Sequence, residues 1–255
     1  MDTKDLTIIY YTSNYLEEKN PYFVENTRKQ LCLAAKGLPI VVVSQSAGNP
    51  YWPIGTNIEQ EIVMHDIGRS HLNIYRQILE GAKAAKTKWV AMAEDDILYT
   101  QEHFAFEKYI KHPQDDVFYY DMCKVSVFTW ITPPMFSFRF KREVVNQLIC
   151  NREFLIEALE QRFEKLEVLK KIWPEEKIIK YWGDPGRYEV FLGVTPRKTR
   201  QESCSHPSIV FSHEYAYGYE VNQGKKKRLG DLRILELYRW GRAEDVLQLF
   251  YERKS

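Results

Sequence analysis

The chain has 255 residues, 44% of them hydrophobic and 28% charged, with a formal net charge of +1. That length fits one α/β domain with a real core and leaves no room for a second full domain. The balanced charge excludes a molecule that attracts polyanions over its whole surface, and no apolar run approaches the roughly 20 residues of a membrane-spanning helix.

The first half of the chain alternates strand and helix signals. Leu6–Tyr11 reads as a buried strand, Phe23–Lys36 as a helix that follows Pro21 and stops at Gly37, and Pro39–Ser44 as a second buried strand rich in β-branched residues. A loop containing Gly48, Pro50, Pro53 and Gly55 comes next. Ser70 is placed to cap a helix running to about Lys86, with Leu72, Tyr75, Ile78, Leu79 and Ala82 on one face. Trp89–Ala93 is the third buried strand. The β-α-β-α-β order predicts a mostly parallel sheet with helices on its faces.

The second half changes character. Val117–Tyr120, Val125–Trp130 and Met135–Arg142 read as strands, the last two joined through Thr132, Pro133 and Pro134. Apolar residues at helical spacing from Val144 to Leu166 predict one long helix from Glu143 to about Lys171. Ser208–His213 is a late strand, and the chain from Asp231 reads as two short helices broken near Gly241. Residues 225–242 hold seven Lys or Arg against two acids, either a solvated face or a surface for phosphates. The N-terminus lacks a signal-peptide layout, which predicts a cytoplasmic protein. Cys32, Cys123, Cys150 and Cys204 are scattered without a CxxC pair and read as buried thiols of a reducing compartment. The aromatic share, 17 Tyr, 13 Phe and 6 Trp, serves a large core and suits a cleft that stacks flat rings or sugar faces.

One short motif carries chemistry. The strand Trp89–Ala93 runs directly into Glu94-Asp95-Asp96. Ligands of open α/β sheets bind at the carboxyl ends of strands, and adjacent carboxylates repel one another unless a cation offsets them. Their hard oxygens suit Mg²⁺ or Mn²⁺, which bridge to substrate phosphates. Late in the chain His213 ends a strand and is followed by Gly218, Gly224 and the basic run Lys225–Arg228. Taken alone, His213 reads as a structural histidine, and His206 stands seven residues earlier.

The run Ala93-Glu94-Asp95-Asp96-Ile97-Leu98-Tyr99, with Glu102-His103-Phe104 behind it, resembles the acidic motif of GT-A-fold glycosyltransferases of a bacterial and phage type. The order of segments from Leu6 to about Arg228 is similar too. The resemblance implies an α/β GT-A (Rossmann-like) fold, a mostly parallel central sheet flanked by helices with a smaller mixed-strand acceptor half. It implies a single domain over 1–255: a nucleotide-binding half over 1–100, an acceptor half over 101–224, and a basic loop with helices over 225–255. It further implies Asp96 and His213 as ligands of Mn²⁺ or Mg²⁺, and Glu94 and Asp95 as nucleotide–sugar contacts. Tyr10, Tyr11, Thr12 and Ser44 (with Ser13 and Gln45) would hold the nucleoside, Arg69 and Arg76 the nucleotide, and Lys225 and Arg228 the diphosphate. The segment Tyr181–Glu189 is similar to the acceptor-side acidic motif, which makes Asp184 and Glu189 candidate bases if the reaction inverts; Asp184-Pro185 also suits a plain helix start. Trp130 and Trp182 fit acceptor platforms or core packing equally. The implied donor is a nucleoside-diphosphate sugar, a UDP-sugar above others, and the implied acceptor a glycan hydroxyl. The alternative acceptor is a hydroxymethylated base in DNA. A sugar-phosphate nucleotidyltransferase is disfavoured because Tyr10–Leu16 contains no glycine, and a non-catalytic binding module leaves the acidic triplet unexplained.

Overall fold

A computed structural model describes residues 5–47, 52–65, 67–138, 143–216, 230 and 232–252. The strands are β1 Leu6–Tyr11, β2 Ile40–Ser44, β3 Ile58–Val63, β4 Trp89–Ala93, β5 Ile97–Leu98, β6 Val117–Asp121, β7 Lys124–Phe128, β8 Phe136–Phe138, β9 Leu148–Asn151, β10 Lys198–Glu202, β11 Ser208–Ser212, β12 Leu232–Ile234, β13 Glu236–Leu237 and β14 Gly241–Arg242. The helices are α1 Tyr15–Lys19, α2 Pro21–Ala35, α3 His71–Ala84, α4 Gln101–Phe104, α5 Arg152–Ile172, α6 Glu175–Trp182, α7 Glu189–Leu192 and α8 Ala243–Val246.

The chain is an α/β protein. Its main sheet has seven strands in the order β10-β6-β9-β4-β1-β2-β3. β9 runs antiparallel to both its neighbours, β4 and β6, and the other pairings are parallel. A second, mixed sheet has the order β12-β8-β7-β11-β5, with β11 parallel to β7 and antiparallel to β5. The two faces of the main sheet sort by period two. Ile9, Tyr11, Val90 and Met92 pack toward α3 and α5, whereas Ile8, Tyr10, Ala91 and Ala93 pack toward α2 and the segment Phe104–Ile110. Helix α3 lies close on the sheet at Gly81, where a Cβ would run into the Ile9 side chain. Ser70 caps α3, its side chain accepting from Asn73 N at 3.1 Å. No helix among the described residues is long and apolar enough to cross a membrane.

Several expectations are corrected. The helix expected from Glu143 to Lys171 is a 3-10 turn over Val145–Gln147, then strand β9, then α5. The Leu148-Ile149-Cys150 run is fully enclosed between β4 and β6, and Asn151 caps α5 by accepting from Phe154 N. The two C-terminal helices expected after Asp231 are instead β12, the hairpin β13–β14, and α8 running into a π turn. The strand over Met135–Arg142 is described only as Phe136–Phe138, because 139–142 lie outside the described residues. All four cysteines are free; Cys150 and Cys204 are buried, Cys32 and Cys123 half-buried.

Candidate functional site

A cleft of about 500 Å³ opens where β1 and β4 end. Its floor carries Tyr11, Thr12 and Ser13 at and after the end of β1, Glu94, Asp95 and Asp96 directly after β4, and Gln45 after β2. Arg69, Ser70 and His71 enter from the start of α3, Asn146 from the turn before β9, and Lys180, Asp184, Arg187 and Tyr188 from the α6 end of the molecule. His213 and Tyr215 close it after β11.

The first two acids of the triplet are held by the chain itself. Glu94 accepts from the Tyr11 hydroxyl at 2.6 Å and from Asn146 Nδ2 at 2.7 Å. Asp95 accepts from the Thr12 hydroxyl at 2.6 Å, and the Asp95 carbonyl accepts from Thr27 Oγ1 at 2.9 Å. Burial, and then the charge of Asp96, pushes the Glu94 carboxyl up to about 8, while the bonds from Asn146 and Tyr11 act against that rise. Burial and Asp96 likewise raise Asp95, to about 6, against the Thr12 bond and the charges of Arg28 and His213. Three carboxylates are thus crowded into a partly enclosed corner that favours an added positive charge.

Asp96 is different. Its carbonyl accepts from Phe211 N at 3.0 Å, which seats the end of β11 beside the triplet. Its Oδ2 stands 3.5 Å from His213 Nε2. Asp96 Oδ1 and both ring nitrogens of His213 are enclosed by protein yet have no hydrogen-bond partner among the described residues. Orphaned buried polar atoms are uncommon in folded proteins, and here three of them sit together, on two side chains 3.5 Å apart that line one cleft. A carboxylate and an imidazole suit Mn²⁺ or Mg²⁺ chemically, so these donors fit the cation. No group of three His, Cys, Asp or Glu side chains able to hold a metal is found among the described residues, so a cation here would take its remaining oxygens from substrate and water. His206 pairs instead with Glu102 at 3.5 Å and does not line the cleft.

The other predicted residues divide. Arg69 lines the cleft, its Nη2 donating to Tyr215 O at 2.9 Å with its guanidinium over the Tyr15 ring. Asp184 lines it too, its Oδ1 accepting from Val145 N at 2.8 Å and its Oδ2 from Arg187 at 3.2 Å. Tyr10 points to the opposite face of the sheet, where its hydroxyl accepts from Arg28 Nε and its ring packs edge-on to Trp52. Ser44 is buried and turned to Ser46 O. Arg76 donates to Asn73 Oδ1 and lies over Phe163. Glu189 is buried against Arg162 at 2.6 Å and also accepts from Gly186 N. None of these four lines the cleft: period two turns Tyr10 away from it, and buried Arg162 draws Glu189 into the core. Trp182 is fully buried, so it packs rather than presents a platform; Trp130 is half-buried against Phe128 and away from the cleft. Lys225 and Arg228 lie outside the described residues. In the tail, Arg239 holds Glu102 with two bonds of 2.6 and 2.8 Å, and Arg242 sits 3.5 Å from Glu244. Sequence reasoning missed Asn146, hidden inside the expected helix, and the cations Lys180 and Arg187, which carry no motif.

No protein-family model matches the chain, and no curated protein matches it. Solved structures similar to it include a nucleotidyl transferase from Methanothermobacter thermautotroptrophicus, with TM-score 0.41 and 11% identity over 79% of this chain and 88% of that one. The glycosyltransferase GlyE of Streptococcus pneumoniae is similar at TM-score 0.43 and 9% identity over 86% of this chain and 50% of that one. TarS of S. aureus, residues 1–349 in complex with UDP, is similar at TM-score 0.40 and 11% identity over 82% and 61%. The chain spans less than two-thirds of either of these two. Likeness at this distance carries no activity over to the chain, whose chemistry has to be read from its own cleft.

Proposed function

We propose that this protein is a metal-dependent glycosyltransferase that moves a sugar from a nucleoside-diphosphate sugar, a UDP-sugar first, to an acceptor hydroxyl. The observation that carries the reading is the meeting of Asp96 and His213 beyond the end of β4, with three enclosed polar atoms lacking partners among the described residues, in a cleft large enough for a nucleotide. Asp96 and His213 would hold Mn²⁺ or Mg²⁺. A cation bound there supplies positive charge against the negative charge that grows on a leaving diphosphate.

The chain's own residues divide the remaining work. Tyr11 and Asn146 fix Glu94, and Thr12 fixes Asp95, so both carboxylates face the donor in set orientations. Their oxygens suit sugar or ribose hydroxyls as hydrogen-bond acceptors. Arg69 is tied to the backbone at Tyr215 and brings a fixed cation to the mouth of the cleft. On the α6 side Asp184 is the cleft carboxylate available to take a proton from an acceptor hydroxyl in an inverting reaction.

The test is calorimetric titration of UDP and other nucleoside diphosphates with and without Mn²⁺, followed by a screen of nucleotide sugars for hydrolysis. Binding that strengthens with Mn²⁺, and slow release of nucleoside diphosphate from one sugar donor, are expected. Binding of no nucleoside diphosphate under either condition would refute the proposal.

A further inference from the structure

Two cysteines that lie far apart in the sequence meet at the end of the strand pair β6–β10. Asp121 of β6 and Glu202 of β10 are register partners in a parallel ladder, and Met122 N donates to Glu202 O at 2.7 Å just beyond them. Cys123 and Cys204 each stand two residues past their member of that pair. The two main chains stay together there, because Asp121 Oδ1 accepts from the Cys123 amide at 2.9 Å and from the Cys204 amide at 3.3 Å. Neighbouring strands lie about 4.8 Å apart, inside the span of about 4.4–6.8 Å between the Cα atoms of a disulfide. The thiols meet as well. The Cys204 hydrogen has two acceptors in reach, the Cys123 sulfur and His206 O, the latter at 3.0 Å.

The two sulfurs are not equivalent. Cys204 is buried and Cys123 half-buried. The hydrogen bond from Cys204 holds the Cys123 thiol below its ordinary value, with help from Lys124 and against burial and the charge of Asp121. The same bond, burial and Asp121 all raise Cys204. Burial raises Cys150, and burial raises Cys32 against a bond to Thr56. The thiolate is the nucleophile, and oxidation follows thiolate character and access. Cys123 is thus the sulfur placed to react first, with Cys204 beside it to resolve the product.

We propose that Cys123 and Cys204 are a peroxide-responsive dithiol that closes reversibly to a disulfide. The Cys123 thiolate attacks one oxygen of hydrogen peroxide and the O–O bond breaks. Cys123 sulfenic acid forms, and the departing hydroxide takes up the proton that Cys123 gave away and leaves as water. The Cys204 sulfur then attacks the sulfenic sulfur; the S–S bond forms, the S–O bond breaks, and the Cys204 proton leaves with that oxygen as a second water. The two thiols lose two electrons and the peroxide gains them. The bond would tie the β6–β7 corner to the segment entering β11, where Ser208 N already donates to Cys123 O at 3.0 Å. It would close the chain around residues 124–203 and so restrict the unfolded state. The pair sits at the start of β11 and His213 follows its end, so the proposal does not rest on the catalytic reading.

The experiment treats the reduced full-length chain with a small excess of hydrogen peroxide, then maps disulfides by mass spectrometry of alkylated, unreduced peptides beside thermal melts. Wild type should lose two of its four thiols to a Cys123–Cys204 link within one chain. It should melt about 5 °C or more above the reduced form and return to it with dithiothreitol. Cys204→Ser should accumulate a dimedone-reactive sulfenic acid at Cys123, and Cys123→Ser should label at Cys204 at least tenfold less. Four thiols left free in wild type, a link through Cys32 or Cys150, or links between chains overturn the proposal. A lower melting temperature on oxidation, the mark of a bond forced against the fold, overturns it too. Equal labelling of the two serine variants overturns the order of attack. The wild-type map decides the pairing even where a serine variant fails to fold.

Discussion

His213 Nε2 stands 3.5 Å from Asp96 Oδ2, beyond the length of a good hydrogen bond, and neither His213 ring nitrogen has a partner among the described residues. Two strands that are far apart in sequence produce this approach. β4 delivers Asp96 from the main sheet, and β11 delivers His213 from the smaller one, the two being tied by the Phe211 N to Asp96 O bond. A pair that shares a cation, as proposed, would leave such a gap.

Asp96→Asn should therefore keep the melting temperature near that of wild type, since it is nearly isosteric, and should abolish the Mn²⁺-dependent part of nucleoside diphosphate binding. His213→Ala should weaken that part by about tenfold or more, as for the loss of a residue that holds the cation, with partial rescue by excess Mn²⁺. Calorimetry at several Mn²⁺ concentrations decides it. Unchanged Mn²⁺ dependence in both variants removes the pair from the metal site.

The two acids of the α6–α7 segment should separate cleanly. Asp184 faces the cleft, whereas Glu189 is buried in an ion pair with Arg162. Asp184→Asn should remove transfer while sparing donor affinity, because a base acts only in the chemical step. Glu189→Gln should leave Arg162 buried without its counter-charge and cost about 3–5 kcal/mol of stability. Denaturant unfolding beside transfer assays measures both. A stable Glu189→Gln variant without transfer would reverse the assignment.

Much of the fold was legible because buried parallel strands are continuous apolar runs. Leu6–Tyr11, Ile40–Ser44 and Trp89–Ala93 stand out on that ground, and Ser70 announced α3. β9 was not legible, since Val144 and Leu148 fall at helical spacing and only the slot between β4 and β6 makes the segment a strand. β3 hid for the opposite reason: its sequence, IEQEIV, is half exposed at the edge of the sheet. In the site, the acidic triplet was visible as a strand end. Which of Tyr10 and Tyr11 faces the cleft was not, because alternation fixes opposite faces without saying which face is covered. Glu189 and Asp184 look alike in sequence; a buried arginine 27 residues before Glu189 distinguishes them.

Away from the cleft, the buried pair His103–Asp121, 2.8 Å apart, predicts an acid response. Burial by itself raises the Asp121 carboxyl. The bond and charge of His103, with the Cys123 amide and the Cys204 side chain, outweigh it and hold the group below its ordinary value. A carboxyl depressed in the folded state contributes stability above its unfolded pKa and loses it as pH falls through the folded one. Asp121→Asn should thus be less stable at neutral pH and should show a shallower loss of stability below about pH 4. Unfolding free energies from pH 7 downward test this, and parallel wild-type and variant curves through the acid range would count against it.

The last prediction concerns the grip on Glu94. Tyr11 and Asn146 donate to its two oxygens from different elements, one from β1 and one from the turn before β9. Tyr99 supports the same corner, its hydroxyl accepting from Glu94 N at 3.2 Å and donating to Asn146 O at 3.0 Å. If Glu94 contacts the donor, losing either donor group leaves a carboxylate free to turn away. Tyr11→Phe and Asn146→Ala should each weaken nucleotide-sugar binding by up to about tenfold, as expected for one lost hydrogen bond of about 0.5–1.5 kcal/mol. Because both bonds orient one carboxylate, the double variant should lose less than the sum of the two single losses. Affinity for the free nucleoside diphosphate should change little, since Asp96 and His213 are untouched. Calorimetry with the sugar nucleotide and with the bare diphosphate, on all three variants, separates these terms. Equal losses for both ligands would place Glu94 on the diphosphate. A fall in melting temperature with both affinities intact would reduce it to a structural acid.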